Sequence, residues 1–299
     1  MDLSIVMVNW NGKDITRDCL NSIYKYEYPF EFELFLVDNA STDGSVEILK
    51  KEFPKVNFLV NKENLGFTRA NNVAFSQCTG KYIFLLNNDT IVEEGTLEKL
   101  VTFMDEHPEV GACGPRVLNA DGTLQPQCRR GDLTISAAVS YVLGLHKLFP
   151  GSKFFGKYLM TWQPDNVTHE IEAASGCAFM IRREIFEEVG WLDSDYFLSG
   201  DDIDLSLRLR RAGHRIFYVH DAPLVHLKGL SVNRHKNSFN IYHMFRSQYI
   251  YYKKNWAPGR FFLVNWLAYF VIAGGYAGAM GINFIKKILD KIAPRKIED

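Results

Sequence analysis

The first 114 residues alternate short apolar runs, rich in β-branched and aromatic side chains, with amphipathic stretches. Four of the apolar runs predict strands: Leu3–Val8, Glu33–Val37, Asn57–Val60 and Tyr82–Leu86. The amphipathic stretches between them predict helices near Ile15–Tyr26, Ser45–Glu52 and Thr68–Cys78. Strands that alternate with helices form parallel sheets with right-handed crossovers, so the pattern predicts an α/β fold with a mostly parallel sheet flanked by helices. Ligands of such sheets bind just beyond the carboxyl ends of the strands.

The chain becomes less regular after residue 114. Residues from about 115 to 200 predict insertions beside the ligand-binding edge. A helix is predicted from Asp201 to Arg211 with Gly213 as its C-cap, followed by a strand at Ile216–Val219. We take residues 1–235 as one domain and residues 236–299 as a helical C-terminal extension.

Composition limits the partners that this chain can have. The 299 residues are 47% hydrophobic and 23% charged, which is ordinary for a globular protein with a large core. The net charge of -1 hides an asymmetry, because twelve Lys and Arg against three Asp and Glu follow from His226 onward. A basic tail on an acidic body is a poor match to nucleic acid and suits anionic lipid headgroups. The five cysteines have no metal-ligand spacing and predict reduced thiols in a cytosolic compartment.

An apolar segment near the C-terminus, residues 261–285, has no charged side chain. It is long enough to cross a hydrocarbon core of about 30 Å, although Asn265, Asn283 and four glycines weaken a simple spanning helix. We expect membrane contact, with in-plane binding and a true span both open. The alternative is an apolar helix pair packed on the folded body or on a partner. The chain starts without the pattern of a secretory signal, so we expect it at the cytoplasmic face of the cell membrane.

Polar side chains follow the first two predicted strands. Asn9 and Asn11 come after the first strand, and Asp38 and Asn39 end the second. A carboxylate in this position can accept a hydrogen bond from a pyrimidine N–H or a ribose hydroxyl, and an amide can donate one. The alternative is turn and cap chemistry, which we favour for Asp43. Capping is less natural for Asp38, because it lies at the end of the strand itself.

The turn after the third strand contains Asn64 and Gly66, and Arg69 follows. Gly66 permits a positive φ or a close approach of the backbone to a phosphate. Arg69 could place positive charge near a diphosphate. By itself the pattern is also that of an ordinary turn.

The fourth strand runs directly into Asn87, Asn88 and Asp89. These side chains offer the hard oxygen ligands that Mg²⁺ or Mn²⁺ prefers, and His226 could add a nitrogen ligand. Two structural alternatives stay open. Asp89 or Thr90 could cap a helix over Val92–Met104, and a lone histidine is more often a packed residue than a ligand.

Three acids, Asp201, Asp202 and Asp204, cluster where the later helix is predicted to begin. The helix dipole favours negative charge there, and this structural reason should account for at least one of them. Adjacent carboxylates after a glycine also suit a general base that faces a hydroxyl group.

Taken together, these features resemble the family-2 glycosyltransferases of the GT-A fold over roughly residues 3 to 235, and most of all their rhamnosyltransferase-like branch. The resemblance rests on an ordered series of short motifs: Val8-Asn9-Trp10-Asn11, Val37-Asp38-Asn39, Asn64-Leu65-Gly66-Phe67, Leu86-Asn87-Asn88-Asp89, Gly176-Cys177, Gly190-Trp191-Leu192-Asp193 and Asp201-Asp202. Each motif is loose, and their order and spacing are specific. The resemblance implies a Rossmann-like sheet.

The resemblance also implies a donor site. In this family the first two loops hold the nucleotide, which implicates Asn9 and Asp38. The metal motif of the family corresponds to residues 87–89, where Asn87 replaces its first acid and leaves Asp89 as the principal carboxylate. His226 and the loop Lys228 to Ser231 match a segment that closes over the donor phosphates. The implied cofactor is a divalent cation.

The catalytic pair of the family corresponds to Asp201-Asp202, with Asp201 in place of a glutamate. The implied reaction is a single in-line displacement with inversion, in which Asp202 takes the acceptor proton. The implied donor is a nucleotide sugar, with deoxythymidine-diphosphate rhamnose as the best match and a uridine-diphosphate hexose as the alternative. The implied acceptor is a glycan or a lipid-linked glycan in cell-surface polysaccharide synthesis.

Other functions fit the sequence less well. A nucleotidyltransferase would carry a Gly-rich phosphate loop with Arg or Lys after the first strand, where this chain has Asn9-Trp10-Asn11-Gly12. A dehydrogenase would open its first helix with G-x-G-x-x-G. A catalytically silent scaffold that binds nucleotide sugars stays open, and Asp201-Asp202 speaks against it.

Overall fold

The computed structural model describes residues 1–227 and 238–292. Contacts divide the chain into two compact units. The first comprises Met1–Asp193 and Asp201–Val232, and the second Ser194–Gly200 and Asn233–Asp299.

The first unit is built around one mixed, mostly parallel sheet. Its strands, with two short ones that pair beside it, are β1 Leu3–Asn9, β2 Phe32–Asp38, β3 Asn57–Val60, β4 Tyr82–Leu86, β5 Thr90–Val92, β6 Val110–Leu118, β7 Arg129–Arg130, β8 His169–Ile171, β9 Ala173–Ala174, β10 Ala178–Arg182 and β11 Arg215–His226. The strand order is β3-β2-β1-β4-β10-β6-β11-β5, with β8 paired to β11, while β7 pairs with β9. β1 to β4 are mutually parallel, and β10 runs antiparallel to both β4 and β6. The start of β10 therefore lies at the edge where β4 ends.

Helices flank this sheet as the alternating pattern predicts. They are α1 Lys13–Tyr24, α2 Ser45–Glu52, α3 Phe67–Phe75, α4 Thr96–Glu106, α5 Ile135–Val142, α6 Leu145–Leu148, α7 Arg183–Val189 and α8 Asp201–Arg211. The core lies between these helices and the central strands, where Ile5, Phe84 and Phe179 are fully buried. The predicted fold class is confirmed, and the bounds of β3, β4, α2 and α8 agree with the sequence.

One predicted helix begins in a different place. The structural alternative placed this helix over Val92–Met104, capped by Asp89 or Thr90, but α4 begins at Thr96 after Gly95, whose φ is 74°. Residues Thr90–Val92 instead form β5 against the end of β11. The prediction was wrong because this pairing joins residues far apart in the chain, which local periodicity does not record. For the same reason β11 extends far beyond the predicted Ile216–Val219.

The second unit contains two long helices, α9 Ser238–Asn255 and α10 Phe262–Ile292. α10 runs without a break through its glycines, and a Cβ added at Gly275 would lie 2.8 Å from Cε1 of Phe245 on α9. By length and composition, residues Phe262–Lys286 could cross a membrane, and the most apolar part of this stretch is not buried within the protein. The predicted helical C-terminal extension is confirmed.

Candidate functional site

The ends of β1 and β2 bring the first pair of predicted donor-binding residues together. Asn9 and Asp38 are register partners in the sheet, and both are buried. Asn9 Nδ2 donates to Asp38 Oδ2 at 2.9 Å, and the backbone N–H of Ser41 donates to Asp38 Oδ1 at 2.8 Å. The carboxylate is thus fixed at the carboxyl edge of the sheet. A role of Asn9 and Asp38 in donor binding stays a prediction.

A buried hydroxyl ties this pair to the loop after β4. Thr16 Oγ1 donates to Asn9 Oδ1 at 2.9 Å and accepts from Asn88 Nδ2 at 2.8 Å. Thr16 was not among the predicted site residues, although the sequence contains a signal for it. Thr16 shares the buried face of α1 with Cys19, Leu20 and Ile23, where a polar side chain needs a partner.

Asn11 and Asn39 hold loops in place at the same edge. Asn11 adopts a φ of 51°, and its Oδ1 accepts from the N–H of Thr42 at 2.7 Å. Asn39 Nδ2 donates to Asn64 Oδ1 at 2.9 Å and to the carbonyl of Gly66 at 3.1 Å. Through these contacts both asparagines hold neighbouring loops together. A role of either one in donor binding stays a prediction.

The turn before α3 has the geometry that requires glycine. Gly66 has a φ of 79° and directly precedes Phe67, the first residue of the helix. Arg69 lies exposed in the first turn of α3. For Asp43, the predicted turn role is confirmed, because its carboxylate accepts from the N–H groups of Lys13 and Ser45.

Asp89 and His226 lie together although 137 positions separate them in the chain. His226 Nε2 is 3.1 Å from Asp89 Oδ1, and His226 Nδ1 is 3.1 Å from Oε1 of Gln125, a residue that the sequence analysis missed. Asp89 is only 1% exposed. Burial alone would lower the pKa of His226, but hydrogen bonds to Asp89 and Cys177 raise it to about 10.

This pair can be tested as part of a cation site. Among the described residues, no group of three or more His, Cys, Asp and Glu side chains could enclose a metal ion. Two protein ligands are nevertheless at hand, and Oδ1 of nearby Asn87 is buried without a hydrogen-bond partner among those residues. A carboxylate and an imidazole suit Mn²⁺, and a Mg²⁺ site commonly takes further oxygens from phosphate and water. The residues fit a cation that shares its coordination with a ligand.

Asp202 lies in the first turn of α8 and is held from two sides. Its Oδ2 accepts from Arg130 Nη2 at 2.7 Å and from the N–H of Gly176 at 3.0 Å, while Oδ1 accepts from the N–H of Ile203. The Asp202 side chain is 17% exposed and that of Arg130 is 6% exposed. Arg130 was not among the predicted site residues, because no local pattern distinguishes which of the two adjacent arginines in β7 contacts α8.

The other two acids of the cluster have different surroundings. Asp201 is buried, and this burial, followed by the charge of Asp202, raises its pKa. Asp204 accepts from Arg208 Nε at 2.9 Å, and the Arg208 side chain also donates to the carbonyls of Val189 and Trp191. Asp204 is therefore structural, as expected of at least one of the three. A catalytic role for Asp201 stays a prediction.

Hydrogen bonds connect these parts into one framework within the first unit. Asn87 donates its backbone N–H to the carbonyl of Cys177 at 2.9 Å, and the adjacent Gly176 donates to Asp202. The loop after β4 thus bridges the Asn9–Asp38 pair and the turn that holds Asp202. The loop Lys228 to Ser231, predicted to close over phosphates, lies outside the described residues.

Comparison with known proteins shows which family the chain resembles. The profile of "Glycosyl transferase family 2" matches residues 4–190. The chain is 28% identical over 229 residues to the N-acetylglucosaminyl-diphospho-decaprenol L-rhamnosyltransferase of Mycobacterium tuberculosis, covering 73% of each chain.

Solved structures show the same fold. The crystal structure of S. aureus TarS 1–349 matches with a TM-score of 0.56 and 16% identity, covering 93% of this chain and 81% of that one. The mannosyltransferase PcManGT from Pyrobaculum calidifontis, in complex with GDP-Man and Mn²⁺, matches with a TM-score of 0.54 and 18% identity, covering 98% and 76%. These likenesses confirm the predicted GT-A-type fold.

Proposed function

The chain belongs to glycosyl transferase family 2, and from this membership we propose that it transfers a sugar, with inversion at the anomeric carbon, from a nucleoside-diphosphate donor to a hydroxyl group of a glycan or lipid-linked glycan. One observation carries the proposal. A partly exposed carboxylate, Asp202, is held on the same hydrogen-bonded framework as the Asp89–His226 pair. Asp202 can accept the proton of an acceptor hydroxyl, while the Asp89–His226 pair can bind a cation that stabilises the leaving diphosphate.

Asp202 is the general base of this reaction. Two donors orient its Oδ2, while Oδ1 accepts only from the neighbouring N–H of Ile203 among the described residues and can accept a further hydrogen bond from a hydroxyl. As the acceptor oxygen forms a bond to the anomeric carbon, its proton passes to Asp202. The bond between that carbon and the phosphate oxygen breaks, and the nucleoside diphosphate leaves with the bonding electrons. No covalent intermediate with the protein is required.

Asp89 and His226 would hold a divalent cation in this proposal. When bound, Mg²⁺ or Mn²⁺ neutralises charge that develops on the leaving diphosphate. Binding requires His226 to lose its proton, because a metal ligand must be a neutral imidazole. The Mn²⁺ in the PcManGT complex supports a divalent cation as the cofactor. The residues proposed to bind the donor lie at or after the ends of the first four strands: Asn9, Asn11, Asp38, Asn39, Asn64, Gly66, Arg69, Asn87 and Asn88.

Deoxythymidine-diphosphate rhamnose is the donor that we propose, with a uridine-diphosphate hexose as the alternative. The mycobacterial relative, whose name specifies an L-rhamnosyltransferase and a diphospho-decaprenol acceptor, supports a rhamnose donor and a lipid-linked acceptor. The exposed apolar face of α10 supports attachment to a membrane, and we place the enzyme at its cytoplasmic face. The work of the enzyme would be the assembly of cell-surface polysaccharide.

A donor screen tests this function. Thermal-shift measurements with Mn²⁺ and a panel of nucleotide sugars should identify one stabilising donor. That donor should then release its nucleoside diphosphate slowly by hydrolysis, and faster with an acceptor. Stabilisation by a donor without any release, under all acceptors tried, would instead indicate the silent scaffold.

A further inference from the structure

Residues 133–164 form the longest part of the first unit that lacks acidic side chains. They contain no Asp or Glu, while Lys147, Lys153 and Lys157 all lie within them. The segment includes α5 and α6 and follows β7, which carries Arg130. The formal net charge of the whole chain is only -1, whereas every charged side chain in this stretch is positive.

α5 turns its large apolar side chains away from the protein. The outward face carries a stripe at helical spacing, in which Ile135, Val139 and Val142 are 45%, 51% and 80% exposed. Leu143, the residue after the helix, is 65% exposed. The inward face carries the small residues Ala137 and Ser140, both buried. A helix on the surface of a water-soluble protein normally has the opposite arrangement. The outward face of α5 is therefore expected to contact another apolar surface.

The exposed apolar surface continues beyond α5. Leu148, Phe149 and Phe154 are 70%, 51% and 62% exposed, and Lys147 and Lys153 lie exposed among them. None of the salt bridges among the described residues involves these two lysines. Bulky apolar side chains interleaved with unpaired lysines are the pattern of segments that lie in the interface of an anionic bilayer.

The same segment contacts the partner of the general base. The phenol of Tyr158 interacts electrostatically with the Arg130 guanidinium, and the Tyr158 carbonyl accepts from the N–H of Gly131 at 3.1 Å. Arg130 in turn binds Asp202. The ring of Tyr158 packs edge-on against Tyr141 of α5, with ring centroids 5.0 Å apart. Tyr141 of α5 is therefore linked to the base through two intervening side chains, Tyr158 and Arg130.

We propose that residues 135–154, here called the docking segment, bind the surface of an anionic bilayer. The stripe of α5, Phe149 and Phe154 enter the boundary between headgroups and acyl chains, and Lys147 and Lys153 face the anionic headgroups. The catalytic unit thereby contacts the bilayer through its own surface, independently of α10. This inference rests on the proposed transfer to a lipid-linked acceptor, whose hydroxyl would then reach Asp202 at the membrane surface.

An environment-sensitive fluorophore at one position tests the proposal. All five native cysteines are buried, so a single introduced surface cysteine can be labelled selectively in the full chain. Val139→Cys places the label on the stripe, and Val60→Cys is the matched control because both valines are 51% exposed. Vesicles that contain phosphatidylglycerol should shift the emission of the Val139 label to the blue and leave the Val60 label unchanged. Neither donor nor acceptor is present, so failure of sugar transfer does not affect this result.

Variants of the two lysines provide a second test of the proposal. Lys147→Gln with Lys153→Gln should weaken the anionic-vesicle titration of the label by up to ~30-fold, since each lysine near such a surface contributes about 1 kcal/mol. Lys55→Gln with Lys62→Gln, also exposed, should leave it unchanged. The proposal is overturned if the Val139 label keeps its emission while the chain floats with the vesicles. It is equally overturned if the label is already blue-shifted without vesicles in a concentration-dependent way, which would show that a second copy covers the stripe.

Discussion

At the scale of single residues, Thr16 determines how two loops of the site are joined. Its hydroxyl donates to Asn9 and accepts from Asn88, and the side chain is fully buried. Asn9 in turn holds Asp38, which lies on the neighbouring strand. The geometry of the proposed donor site thus depends on a hydroxyl that makes no contact with a ligand.

Replacing Thr16 by valine tests this dependence. Thr16→Val preserves the shape of the side chain but leaves the amide groups of Asn9 and Asn88 short of a partner, which costs about 1–3 kcal/mol when the groups are buried. We expect a lower free energy of unfolding in urea and weaker donor binding by calorimetry. Thr16→Ser, which keeps the hydroxyl, should retain most of both. Equal donor affinity in the valine and serine variants would contradict this role.

Arg130 forms an ion pair with Asp202 whose loss should cost more stability than the loss of an exposed ion pair. Arg130→Met leaves Asp202 without its strongest partner and should destabilise the fold by about 3 kcal/mol, near the lower end for buried pairs because Asp202 is 17% exposed. Transfer should fall because the base loses its orientation. Arg116→Met is the matched control, since its pair with Asp165 is 32% and 42% exposed and contributes about 0–1 kcal/mol. Similar losses of stability and transfer in both variants would argue against a special role for Arg130.

At the scale of helices and strands, the sequence predicted what depends on local pattern. The apolar runs placed β3 and β4 correctly, and the strand ends at Asn9 and Asp38 could be recognised as neighbours because parallel strands end at one edge. Only the tertiary structure shows contacts between distant segments. Gln125 meets His226 across 101 positions, and Arg130 meets Asp202 across 72. β5 was missed for the same reason, because its three residues are a strand only by pairing with β11.

α10 is the element whose exposed face predicts a measurable effect. Trp266 and Phe270 are 66% and 63% exposed and stack with ring centroids 5.8 Å apart. Trp266→Ser with Phe270→Ser should reduce partitioning into neutral vesicles by about tenfold or more, since burial of one such ring contributes at least about 1.5 kcal/mol. The melting temperature should not change, because neither ring is buried in the protein. Unchanged flotation would contradict membrane contact by this face.

At the scale of the whole molecule, the chain combines an acidic catalytic body with basic, apolar surfaces. The formal net charge is only -1, yet the docking segment and the residues after His226 carry a clear excess of cations. Such a distribution suits an enzyme whose donor comes from water and whose acceptor stays at an anionic surface. Donor chemistry and membrane binding can therefore be measured separately on one protein.

The proposed cation site belongs to this scale because its two protein ligands, Asp89 and His226, come from distant parts of the chain. Asp89→Ala removes the carboxylate that lies 3.1 Å from His226. Calorimetry should show that Mn²⁺ strengthens donor binding to the unaltered protein and does so far less for the variant. Equal donor affinity of both proteins, with and without Mn²⁺, would contradict the assignment of Asp89.

The central claim is that Asp202 acts as the general base on a donor held elsewhere on the same framework. The most direct measurement is the rate of transfer by Asp202→Asn at a donor concentration shown by calorimetry to be saturating. Asparagine keeps the size of the side chain and can still accept from Arg130 and Gly176, so donor affinity should be preserved. We predict that transfer falls by about 10²–10⁴-fold. A variant that binds donor normally and still turns over at the original rate would contradict the claim.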